Sequence, residues 1–171
     1  QKTAMALGTR MIVMNEGEIC QEDSAQNIYD HPENLFVAGF FGTPRMNISI
    51  AKVMEEGERI VLKFASGMID LPEEKGKLLK DREYAGKEVF TGIRPEKVVP
   101  AKNGENREIT GDILGSEEID GASYIRFGVG DGEFLAKAEG GENLSGKKMS
   151  FHVSGEDVYL FDKETEKIIT E

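Results

Sequence analysis

Apolar and polar positions alternate over much of this chain, and one alternating unit occurs twice. The run AGKEVFTGIRPEKVV (85–99) and the run SGKKMSFHVSGEDVYL (145–160) share one plan sixty residues apart, without a gap. Gly86 falls on Gly146, Lys87 on Lys147, Val89 on Met149, Ile93 on Val153, Glu96 on Glu156 and Val98 on Val158. In the second copy Met149, Phe151 and Val153 share one face of a strand, and Lys148, Ser150 and His152 the other. Each copy is expected to be a strand, a tight turn and a second strand. The turn is Arg94-Pro95 in one copy and Ser154-Gly155 in the other, two chemistries suited to reversing a chain. Upstream, IVLKF (60–64) and YIRF (124–127) both alternate after a glycine-containing turn. The pattern predicts a duplicated β unit.

The first 45 residues have a different texture. Residues 1–8 suggest the tail of a helix that packs Ala4, Met5 and Leu7 and stops at Gly8. MIVM (11–14) and EIC (18–20), joined through Asn15-Glu16-Gly17, predict a hairpin, and the unbroken apolar run 11–14 suggests a strand covered on both faces. Ser24 is placed to cap a short helix that buries Ile28 and Tyr29 and closes at Pro32. A second helix is expected over Glu33 to Phe41, with Leu35, Phe36, Phe40 and Phe41 forming an apolar face. The boundary falls near residues 43–46. Beyond it come short strands with glycine turns, a charged stretch (73–84) able to carry a helical turn, a linker (100–108), and a terminus from Glu164 that reads as frayed or short. About ten strands at this spacing predict one or two small barrels of the oligonucleotide-fold type, because closure hides strand edges. The fold class expected is therefore mainly β, a duplicated small barrel preceded by a short α/β segment.

Composition narrows the function classes. The 171 residues are 39% apolar and 31% charged, with a formal charge of -11. Nucleic acid is not an expected partner, since phosphate contacts draw on clustered Lys and Arg, and here the bases are scattered among acids. No run of eighteen apolar residues and no signal-peptide pattern occurs. The single cysteine, Cys20, permits no internal disulfide, which suits a reducing compartment, and it reads as a small hydrophobe at a strand end.

No catalytic, cofactor-binding or metal-binding constellation is expected. His31 precedes a proline in a turn, and His152 lies on a polar strand face. The pairs Glu55-Glu56, Glu73-Glu74 and Glu117-Glu118 are adjacent, which on a strand sends the two carboxylates to opposite faces. GVGDG (128–132) has no helix pattern after it and predicts a hairpin turn rather than a phosphate loop. Arg94, Pro95 and Glu96 remain the candidate contacts. They read either as a proline turn whose charge pair fixes its geometry, or as a regulatory or interface surface for another subunit or domain.

Several strings carry a resemblance. QKTAMALGTRMIVMNEGEICQ, an Ile-Tyr helix with Asp30-His31-Pro32, NLFVAGFFGTPRMN and GIRPEK together resemble the C-terminal part of the ATP-binding subunit of a sugar-type ABC importer, of the maltose and glycerol-phosphate group. Thr9, Asp23-Ser24-Ala25 and Lys97 stand where that family usually has Asp, Gly-Thr-Pro and often His. The resemblance implies that residues 1–45 are the end of a nucleotide-binding domain and 46–171 a transport-associated regulatory domain. It implies a homodimer, membrane permease subunits and a regulator protein as partners, and a cytoplasmic protein peripheral on the inner face of the membrane. ATP and Mg would be bound through residues of the parent protein not present in this sequence, so no cofactor and no ATP hydrolysis are expected of these residues. The alternative is a small-ligand module that binds oxyanions between its two barrels. Residues 1–20 would either pair with a second chain, the favoured outcome, or fold back upon 24–41.

Overall fold

The computed structural model describes residues 10–101, 107–138 and 146–170. The expected helix tail at 1–8 and most of the linker at 100–108 lie outside these residues. The front segment contains the hairpin β1 (Met11–Asn15) and β2 (Glu18–Asp23), then the short helices α1 (Ala25–Asp30) and α2 (Leu35–Phe40). Glu16 and Gly17, at φ 49° and 88°, supply the left-handed pair that a two-residue hairpin turn demands. Ser24 caps α1 by accepting from the Asn27 N–H, and Asn34 caps α2 by accepting from Val37.

The remainder is mainly β. The first repeat runs β3 (Asn47–Glu56), β4 (Arg59–Phe64), β5 (Gly67–Asp70), α3 (Glu73–Asp81), β6 (Glu88–Ile93), a 3-10 turn over Pro95–Lys97, and β7 (Val99–Pro100). The second runs β8 (Ile109–Ile119), β9 (Ala122–Val129), β10 (Gly132–Ala138), β11 (Lys148–His152), a 3-10 turn over Gly155–Asp157, and β12 (Val158–Asp162), followed by β13 (Ile168–Thr170). The duplication is real in the backbone. Gly86 and Gly146 share φ +80°, and the residues before the two 3-10 turns, Arg94 and Ser154, share extended angles of −65°, 134° and −70°, 134°. GVGDG is the expected hairpin turn, with Val129 opposite Gly132.

The repeats are interlocked by exchange of their last strands. After its 3-10 turn the second repeat sends β12 to pair with β6 of the first, Val158 opposite Ile93. After the matching turn the first repeat sends β7 to pair with β11 of the second, Phe151 opposite Pro100. One continuous sheet of eleven strands results, in the order β10-β9-β8-β5-β4-β3-β6-β12-β13 with β11 and β7 attached beside β8.

That sheet corrects the expectation of closed barrels, because backbone pairing leaves β10 an edge. Asn47 covers it: the side-chain amide donates to the Leu135 carbonyl at 2.8 Å and accepts from the Leu135 N–H at 2.7 Å, copying one step of a strand ladder. The Lys137 N–H adds a bond to the Val98 carbonyl at 3.0 Å. Periodicity counts strands but says nothing of whether the last pairs with the first, and here a side chain stands in for a backbone.

The core lies within this sheet. Phe127 stacks on Phe151 with centroids 3.9 Å apart and meets Phe134 edge-on at 6.0 Å, and all three are buried. Two further expectations are sharpened. The charged stretch from 73 is a nine-residue helix, because Gly76 and Leu79 give it a face buried on the sheet. The last described residues are short rather than frayed: the three-residue β13 pairs with β12, and Ile169 is buried.

The front segment has its own small core of Val13, Ile28, Val37 and Phe41. Cys20 is half-buried at its margin. Within the single chain the hairpin therefore folds back upon 24–41, and the run 11–14 is covered on one face only. Ile12, Met14 and Ile19 stay 53%, 55% and 62% exposed, since a two-stranded sheet with helices on one side has nothing to lay on the other.

Candidate functional site

The two helices of the front segment end a short distance apart, and each ends with carbonyl groups that its own turns cannot satisfy. Arg94 supplies the donors. One terminal nitrogen donates to the Phe41 carbonyl at 2.5 Å, at the end of α2, and the other to the Tyr29 carbonyl at 2.7 Å, in the last turn of α1. The guanidinium carbon lies over the Tyr29 ring, 3.8 Å from its centroid. A rigid fork that stacks and donates in two directions is what arginine provides and lysine does not. Gly42 makes room for it: at φ +117°, a Cβ here would meet that terminal nitrogen of Arg94 at 2.8 Å.

Glu96 completes the contact from the same turn. Its carboxylate accepts from the Tyr29 hydroxyl at 2.7 Å. Burial, and then this bond to a carboxylate, push the Tyr29 hydroxyl up to about 12. The second repeat joins in through Tyr159 of β12, whose hydroxyl donates to the Asp30 carbonyl at 2.9 Å. Backbone bonds from Leu35 to Glu166 at 2.9 Å and from Ile168 to Glu33 at 3.0 Å tie the start of α2 to the chain end.

Beside this junction lies a cleft of about 380 Å³ between α1, α3 and the two 3-10 turns, lined among others by Asp30, Lys75, Arg94, Lys97 and Asp157. Its cations are already engaged. Lys75 reaches from α3 to the carbonyls of Gly155, Glu156 and Val158 at 3.1, 2.7 and 2.8 Å, and burial lowers its pKa. Lys97 pairs with Asp157 at 2.8 Å, which joins the two 3-10 turns to each other.

The three residues singled out in the sequence thus meet here, in an unexpected arrangement. Arg94 is 3% exposed and Pro95 is buried, so neither offers a surface, and Glu96 is half-buried. Arg94 and Glu96 bind Tyr29 rather than pairing with each other. Tyr29, Phe41, Lys75 and Tyr159 were not singled out as partners of that turn. The one signal available was Tyr29 next to the buried Ile28. His31 lines the cleft through the turn that ends α1, where its carbonyl accepts from Gln21 at 2.8 Å. Among the described residues no group of three His, Cys, Asp or Glu side chains could hold a metal ion, and no helix is long and apolar enough to cross a membrane.

Residues 42–98 match the family described as MalK OB fold domain. An ABC transporter ATP-binding protein of Bacillus subtilis, YurJ, is 34% identical over 99% of this chain and 47% of its own length. The oligosaccharides import ATP-binding protein MsmX of the same organism is 31% identical over 97% and 46%. The sn-glycerol-3-phosphate import ATP-binding protein UgpC of Chromobacterium violaceum is 36% identical over 99% and 44%. A solved molybdate-binding protein, ModG, covers 67% of this chain and 94% of its own at 17% identity and a TM-score of 0.46, a likeness too slight to carry an inference. The chain spans about half the length of the curated relatives it matches. It belongs with the ATP-binding subunits of ABC transporters, about half of whose length it matches, and it carries the MalK OB fold domain.

Proposed function

We propose that residues 46–171 form the regulatory and dimerisation domain of an ATP-binding subunit that drives import of sugars or related solutes, with residues 1–45 completing its nucleotide-binding domain. The observation that carries this reading is the junction at Arg94. A buried guanidinium that binds the ends of two front-segment helices makes the β body and the front segment one mechanical unit, as a domain that follows an ATPase through its cycle requires. In this reading ATP and Mg belong to the other half of the relatives' length. The subunit works in the cytoplasm on the inner face of the membrane, with permease subunits, a second copy of itself and a regulator protein as partners.

Sedimentation of the chain over a wide concentration range, with ATP turnover and ATP calorimetry beside it, tests the reading. The expected outcome is reversible self-association, through an interface burying about 1,200 Å² or more if the pair is stable alone, with no turnover and no micromolar ATP binding. A strictly monomeric chain at every concentration, or turnover that survives repurification, would count against it. The oxyanion module has no observation in its favour, because Lys75, Lys97 and Arg94 around the cleft are each already engaged.

A further inference from the structure

We propose that the Arg94–Tyr29–Glu96 junction is a latch coupling the front segment to the way the two repeats pack, so that loosening the contact between the 3-10 turns loosens α1 and α2. The inference deepens the regulatory reading and takes its purpose from it. Its physical content, a coupling within one chain, stands or falls whatever association sedimentation finds.

The front segment is held by residues from both repeats at once. Arg94 and Glu96 come from the first and Tyr159 from the second, while residues 166 to 168, beyond the second repeat, grip residues 33 to 35. The two 3-10 turns are in turn clasped by the Lys97–Asp157 pair, and Lys75 holds the second turn against α3. A shift of one repeat against the other therefore pulls Tyr159 and Arg94 in different directions on the same helix end, where Tyr29 and Asp30 are neighbours.

The junction also holds a donor in reserve. Arg94 is buried to 3% exposure, yet its Nε finds no acceptor among the described residues, although buried polar groups are nearly always paired. The Glu96 carboxylate is two residues away and is occupied by Tyr29. The loosened state of the proposed latch is one in which Arg94 leaves the Phe41 and Tyr29 carbonyls for Glu96, and Tyr29 is released. Two discrete arrangements that both ends can bias are what a coupling element needs.

Hydrogen exchange on the full chain tests this from both ends, since coupling is reciprocal. Asp157→Asn weakens the clasp between the turns. It is expected to speed exchange at the helix amides of Ile28, Ala38 and Phe41 by about threefold or more. Tyr29→Phe removes only the hydroxyl bond to Glu96 and is expected to speed exchange at Lys97, Val98 and Asp157. In both variants the amides of Leu62 and Phe127 should exchange as in the unaltered chain. If each substitution loosens only its own side, the latch is wrong and the contacts are independent. A uniform rise that includes Leu62 and Phe127 also overturns it, because the effect is then a general loss of stability.

Discussion

At the scale of single residues, the fold depends on a few polar side chains that act as backbone. Asn47 is the clearest. Replacing it by Ala removes the stand-in strand step and leaves the Leu135 N–H and carbonyl without partners, which should cost about 2 kcal/mol or more. Urea unfolding of Asn47→Ala against the unaltered chain measures it, and a midpoint shift near zero would show that water replaces the amide. Asp162 gives a pH test. Its carboxylate accepts from the Tyr84 hydroxyl at 2.7 Å and from the N–H of Thr165 at 2.7 Å, and these bonds, Tyr84 first, lower its pKa from 3.8 to about 2. A depressed carboxylate pKa contributes stability that is whole above the unfolded value and is lost as pH falls through the folded one. Asp162→Asn should therefore lower the unfolding midpoint above about pH 4, and the gap between the two proteins should shrink as pH falls toward 2. A gap constant from pH 6 to 2 would mean that the charge contributes nothing. Neither residue stands out in the sequence. Asn47 bonds a strand 88 positions away and Asp162 a tyrosine 78 positions away, and periodicity reports only on neighbours.

Elements defined by local pattern were legible, and those defined by distant packing were not. Gly86 and Gly146 marked the start of each copy because a positive φ is a local demand, and Ser24 marked a helix because a cap is local too. The helix from Glu73 was legible only as one turn, since its buried face is Gly76 and Leu79 among charges. Likewise β13 has two isoleucines and no turn signal before it, and is a strand because β12 lies beside it. The 3-10 turns differ in an instructive way. The first begins with Pro95, which presets φ for the turn, and the second with Gly155, where a Cβ would run into the Asp70 carbonyl oxygen. The second turn is instead held by Lys75, which donates to its Gly155 and Glu156 carbonyls and to that of Val158 just beyond it. Lys75→Met keeps the length of the side chain and removes the donors, and should destabilise by about 2 kcal/mol, with faster exchange at the Asp157 amide. An unchanged exchange rate there would show that the turn holds without its lysine.

The whole molecule is organised by the exchange of last strands between repeats. Each half contributes a strand to the other's part of the sheet, so neither half possesses a complete set of hydrogen-bond partners alone. The covalent link between the repeats then contributes by raising the effective concentration of one half at the other. A chain cleaved there should remain a single particle on native chromatography and come apart only in denaturant. Its recovery should change kinetic order: the intact chain refolds at a rate independent of concentration, whereas the two pieces must collide first, and their refolding should speed up in proportion to how much of each is present. Pieces that elute separately under native conditions would show that the exchanged strands do not hold the halves together.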